Sequence, residues 1–262
     1  MTTQEALFQY TLRLGDTNLI LGQRLSEWTG HGPFLEEDLA LTNIALDITG
    51  TAKSLLEYAA SIEGKGRTED DLAYLRNDRQ YFNAQMTEQP NGDYARTIVR
   101  QAIMDCFDFY FYTELAKSKD ETLAGIAQKS IKEVTYHLRH TSKWLIRLGD
   151  GTVESKLRTQ NAINELYRFS GELFEMNEVD EILIKENIAC DLAPVHTLWL
   201  SKVKEVFAEA TLEIPSDTFM QRGSRDGKHT EHLGFLLAEM QQKYRKRASK
   251  TNPKNNKPSS DW

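Results

Sequence analysis

The sequence predicts an all-α protein, a bundle of long helices, on three observations. Its six prolines, at 33, 90, 194, 215, 253 and 258, leave long stretches free of the strongest helix breaker. Those stretches are rich in Ala, Leu, Glu, Lys, Gln and Arg, with apolar residues recurring at helical spacing. Nowhere does a convincing run of alternating polar and apolar residues suggest a strand. The helices so read run to about 20–28 residues, longer than the globular average.

The elements follow in order. Leu7, Thr11, Leu14, Asn18, Leu21, Leu25 and Trp28 trace one face of a first helix, ended by Gly30-His31-Gly32-Pro33. Leu39, Ile44, Leu46, Leu55, Leu56 and Tyr58 mark a second, closing near Gly64-Lys65-Gly66. A third is expected from Thr68, which with Asp71 makes a capping-box start, to Gln89-Pro90. After the turn Asn91-Gly92-Asp93 comes a helix over about 93–117, crowded with Phe107, Phe109, Tyr110, Phe111 and Tyr112. The next spans about 120–148 and stops at Gly149-Asp150-Gly151. Further helices are expected over about 153–176, 192–212 and 229–247. Gly15, Gly22 and Gly50 fall inside helices, where each costs about 1 kcal/mol relative to Ala. Close helix approach is the expected compensation.

Composition narrows the function classes. A length of 262 residues fits one large domain or two small ones. No apolar stretch approaches the roughly 18 residues of a membrane span, and the first residues lack a signal-peptide pattern. Two distant cysteines, Cys106 and Cys190, give no disulfide framework, so a reducing cytoplasm is expected. A net charge of −7 argues against nucleic acid as the main partner. The balance is uneven, because residues 245–262 hold six basic residues and one acid. That stretch is polar without an apolar face and reads as a basic disordered tail.

Long helices in an acidic chain raise a sharp hypothesis, a ferritin-like di-iron carboxylate bundle. That chemistry takes a Glu from each of two helices and a Glu-x-x-His from each of two others, since i and i+3 share a helix face. Three residues before the six histidines stand Trp28, Val134, His137, Ala193, Asp226 and His229, so no Glu-x-x-His exists. Asp226-Gly-Lys-His229, the nearest substitute, crosses a Gly-containing loop.

Four stretches resemble a known family: YTLRLGDTNLILGQRLSEWTGHGPFLEEDLALTNIALDITGTA, EQPNGDYARTIVRQ, IKEVTYHLRH and KHTEHLGFLLAEMQ. They are similar to the PaaC-type subunits of bacterial phenylacetyl-CoA epoxidases, the ring-1,2-epoxidases of aerobic phenylacetate breakdown. The likeness runs to about residue 244. It implies a single ferritin-like helical domain over 1–244 with additional C-terminal helices, and a stable complex with a homologous catalytic subunit that carries the di-iron centre. The PaaC-type chain is the structural partner without working metal. Reductase and small accessory subunits complete an NADPH- and oxygen-dependent system.

The resemblance also implies how a site was lost. Catalytic relatives read Asp-Glu-Ala-Gly-His-Gly where this chain reads Leu46-Asp47-Ile48-Thr49-Gly50-Thr51. Asp47 then stands for the Glu and Gly50 for the His. In the second motif His137 survives, but Val134 takes the ligand Glu position and Glu133 is rotated about 100° away. Asp47, flanked by apolar residues, needs a partner, and a lysine, arginine or histidine across the bundle would replace the missing cation.

Other readings compete at particular residues. His137 and His140 with Glu133 either hold a metal or form a Glu–His pair within one helix beside a partly exposed second imidazole. His229-Thr230-Glu231-His232 opens a helix, either as a simple cap or as a docking edge toward the catalytic subunit. The aromatic run from Phe107 to Tyr112 covers every face of its helix, which suggests an extensive helix–helix interface. The alternative to the metal-free reading is an active oxygenase with an irregular ligand set, Asp47, Glu133 and His137 with Asp105 or Asp108. A free-standing helical scaffold is the third.

Overall fold

A computed structural model describes residues 1–216 and 218–251, and the described residues are helical with no strand. Four long helices make the bundle: α1 (Thr3–Ser26), α2 (Leu35–Glu63), α5 (Tyr94–Leu115) and α6 (Glu121–Gly149). The others are α3 (Glu69–Tyr74), α4 (Gln85–Glu88), α7 (Val153–Leu166), α8 (Glu178–Lys185), α9 (Leu192–Glu209) and α10 (Glu231–Thr251). In the bundle α1 packs on α2, α5 on α6, and α2 on α6, while α7 and α9 cover α5 and α8 covers α1.

The long helices begin where local chemistry tells them to. Thr2 and Glu5 close a capping box on α1, and the carboxylates of Asp93 and Asp120 accept backbone N–H bonds at the starts of α5 and α6. Gly64 ends α2 at a φ of 66°, which glycine adopts without strain. Close approach accounts for two of the three helix glycines. A Cβ on Gly15 would lie 2.7 Å from Leu56, and one on Gly22 would lie 2.6 Å from the Thr49 hydroxyl. Gly50 is different, because a Cβ there meets nothing within 4 Å.

Three expected elements need correction. The third helix does not run to Pro90: α3 stops at Tyr74, a 3-10 turn covers Asp78–Gln80, and α4 is one turn. Distant side chains provide what a helix ladder would have supplied. The Asp16 carboxylate accepts from the Phe82 N–H at 3.0 Å and pairs with Arg76, while Glu172 accepts from the Gln85 N–H. The helix expected over 153–176 ends at Leu166 and continues as 3-10 turns, and α8 follows from its own Asn177/Asp180 capping box. The last helix starts at Glu231 rather than 229 and is helical to Thr251. It therefore passes the boundary at 244 where the disordered tail was expected, and the rest of that tail lies outside the described residues.

The aromatic run on α5 serves the chain's own core. Phe107, Phe111 and Tyr112 are buried, Phe107 meets Phe174 edge-on at 5.4 Å, and the Trp199 indole donates to the Ile103 carbonyl at 3.1 Å. Coverage by α7 and α9 removes the need for an external interface there.

Candidate functional site

Three polar side-chain pairs join α2 to α6 along one antiparallel seam. Nε2 of His137 donates to Oδ2 of Asp47 at 3.0 Å. Nε2 of His140 donates to Oε2 of Glu37 at 2.8 Å, and the Tyr94 hydroxyl donates to the same oxygen at 2.7 Å. The hydroxyls of Thr51 and Ser130 lie 3.1 Å apart. His137 is buried, whereas the Asp47 side chain remains 38% exposed at the edge of the seam. Burial pushes the Tyr94 phenol well above its usual range, with Glu37 adding to the shift.

The α5 side of the bundle supplies Asp105 and Asp108. Asp105 is buried, and its two oxygens accept from Gln101 Nε2 at 2.9 Å and Thr141 Oγ1 at 2.8 Å. Burial raises its carboxyl to about 6, with His137 and those two donors pulling the other way. Burial pushes the Asp108 carboxyl well above its usual range, with Asp105 adding to the shift. Glu133 is raised by burial against the pull of Lys129, 3.8 Å away on the same helix.

These residues do not fit a di-iron centre. The side chain of Val134 offers no donor atom. His137 spends Nε2 on Asp47, both oxygens of Asp105 already accept hydrogen bonds, and burial opposes the ionisation of Asp108. Among the described residues no three His, Cys, Asp or Glu side chains are grouped to hold a metal ion. What the seam does chemically is pair the Nε2 atoms of His137 and His140 with carboxylates across two helices, leaving each Nδ1 buried without a partner.

A second polar cluster sits under α10. Glu88, fully buried, accepts from His229 Nδ1 at 3.1 Å, Asn83 Nδ2 at 3.3 Å and the Thr230 N–H at 2.6 Å. His229 Nε2 donates to the Tyr81 carbonyl at 2.8 Å. With an acceptor at each ring nitrogen, the geometry asks for the imidazolium. Burial is the largest single influence and opposes that charge, but the bond to Glu88, its negative charge, the Tyr81 carbonyl and Asp16 together outweigh it, and His229 is raised above its usual value.

The family model described as phenylacetic acid catabolic protein matches residues 1–251, nearly the whole chain. The chain belongs to that family. It is also 49% identical, over 235 residues, to the PaaC-type component of the 1,2-phenylacetyl-CoA epoxidase of Escherichia coli (strain K12), covering 90% of this chain and 94% of that protein. No helix among the described residues is long and apolar enough to cross a membrane.

Within this family member the sequence-derived positions divide. Asp47 and His137 come together as partners, and Val134 is buried beside them on the inner face of α6. Gly50 instead faces open space. Glu133 does not pair with His137 within α6, and His140, partly buried, is tied to Glu37 on α2. His229 is turned inward onto Glu88, while Glu231 is exposed and His232 half-buried at the start of α10. Sequence reasoning missed Glu37, Tyr94 and the Glu88 cluster. Glu37 had a signal, since it falls on the inward stripe of Leu41, Ile44 and Ile48, where a carboxylate needs a partner. Tyr94 and Glu88 had none, because their partners lie far away in the chain.

Proposed function

We propose that this chain is the non-catalytic, metal-free structural subunit of a phenylacetyl-CoA epoxidase. In this reading it stabilises and docks a homologous subunit that carries the di-iron centre, with NADPH electrons delivered through a reductase subunit. Membership of such a complex is supported by the 49% identity to a protein that is itself one component of that epoxidase. One structural observation carries the rest: His137 and Asp47 bond to each other at 3.0 Å where a metal would have to come between them. A hydrogen bond at that distance gives Asp47 and the Nε2 of His137 each a partner, while His137 Nδ1 stays buried without one.

The alternative ligand set, Asp47, Glu133 and His137 with Asp105 or Asp108, would require several steps at once. His137 would have to leave Asp47, Glu133 would have to leave Lys129, and Asp105, with a donor already on each oxygen, would have to turn a further lone pair to the metal. The test is metal analysis of the purified chain and of the co-purified complex. The proposal expects iron to follow the partner subunit and to be absent from the isolated chain. About two tightly bound irons per isolated chain, or failure to co-purify with the di-iron subunit, would overturn it.

A further inference from the structure

The outer surface beside the Asp47–His137 seam carries two unlike ridges. On α2, Leu35, Leu39 and Leu46 are 69%, 53% and 65% exposed. At spacings of four and seven residues they share one face of the helix. Gly50 continues that surface with open space where a Cβ would be. On α6, residues 129–147 hold five cations, Lys129, Lys132, Arg139, Lys143 and Arg147, against a single acid, Glu133, which Lys129 already pairs. All five cations are exposed, in a chain whose net charge is −7. Two rest on aromatic rings, Arg139 over Tyr136 at 5.7 Å and Arg147 over Trp144 at 5.1 Å. Tyr136 is itself 41% exposed.

We infer that the leucines of α2 and the basic ridge of α6 form one docking surface, and that its occupant is an acidic, helical face of the di-iron subunit. The inference rests on the proposed function for the existence of that subunit, and on charge for the choice of face. Three large aliphatic side chains left in water on one helix face are an interface signature when polar groups rim them. On the α6 side that rim is positive, so the surface that matches it is negative with an apolar stripe. A two-fold contact with a second copy would lay the basic ridge against its own twin, a like-charge arrangement that disfavours association. Of the acids of α2, Glu37 is held by His140, Asp47 by His137 and Glu57 by Lys53, while exposed Glu36 beside Leu35 sets one negative charge against the five cations of the ridge.

The experiment co-expresses the full chain with the di-iron subunit encoded beside it and measures their dissociation constant over a range of salt. Wild-type chain is expected to bind, less tightly as salt rises. Leu39→Lys/Leu46→Lys should weaken binding at least about 100-fold, since interface-centre anchors dominate affinity. Lys132→Glu/Lys143→Glu should weaken it about tenfold and flatten the salt dependence. Leu157→Lys, at an exposed leucine on α7, should change nothing. If wild-type chain binds and both double variants bind as tightly, the docking surface is overturned while the proposed function stands. Should the leucine variant fail to fold, the lysine variant decides alone, because its side chains lie outside the core. Absence of any wild-type complex overturns the function and this inference together. Self-association abolished by Leu39→Lys/Leu46→Lys, with partner binding kept, assigns the face to a second copy and overturns the inference.

Discussion

His137 on α6 donates to Asp47 on α2 at 3.0 Å, and this bond joins the two positions where the family resemblance places remnants of a metal site. Asp47→Ala leaves a buried Nε2–H of His137 without its acceptor. A buried donor left unpaired costs about 1–3 kcal/mol. The exposed edge of Asp47 lets water recover part of that, so a loss of about 1 kcal/mol is expected in urea unfolding, together with weaker complex formation. If Asp47→Ala leaves both unchanged, the pair is not a working seam.

Asp105 ties pH to stability in the opposite sense from a typical salt-bridged carboxylate. Its ordinary value is 3.8, and burial raises it to about 6 in the folded chain. The native state then binds the proton more tightly than the unfolded chain, so stability falls as pH rises between about 4 and 6. Asp105→Asn keeps an acceptor for Gln101 and removes the buried charge. Above pH 6 the variant should match or exceed wild type, by on the order of 1–3 kcal/mol, and its profile should be flat where wild type slopes. An unchanged slope would assign that pH dependence to another group.

His229 predicts the other direction. Its ordinary value is 6.5 and the folded value is higher, because Glu88 holds the imidazolium. Its contribution is fully present below pH 6.5 and disappears as pH rises through the folded value. Amide hydrogen exchange at the start of α10, corrected for its intrinsic pH dependence, should lose protection on alkalinisation. His229→Gln should lose it already at pH 6, with about 1–3 kcal/mol of local stability. Equal protection in wild type and variant at pH 6 would mean that Glu88 holds α10 through Thr230 alone.

The parts of the fold legible in the sequence are those whose instructions are local. The four bundle helices carry their caps and apolar stripes within themselves, so α1, α2, α5 and α6 emerge close to their observed bounds. The segment after Tyr74 could not be read that way, because Asp16 and Glu172, far off in the chain, supply partners for its backbone. The site follows the same division. Spacing alone exposed the missing Glu-x-x-His and left Val134 beside His137, all within one helix. That Asp47 needs a partner was legible from its apolar flanks. That the partner is His137, 90 positions away, required the α2–α6 seam.

Restoring the missing ligands should not restore a metal site. Val134 is 5% exposed and packs in the main core. Val134→Glu therefore buries a carboxyl against apolar neighbours, where it either protonates or costs several kcal/mol. Gly50→His does not complete the set, since a side chain at 50 starts in open space rather than against α6. His137 would still be engaged by Asp47. The double variant Val134→Glu/Gly50→His should unfold at lower urea, by about 2–4 kcal/mol, and show no stoichiometric iron after reconstitution and desalting. Iron bound at about two per chain with unchanged stability would mean that the Asp47–His137 bond opens readily to a metal. In that case the proposed metal-free role would rest on the absence of a Glu rather than on the seam itself.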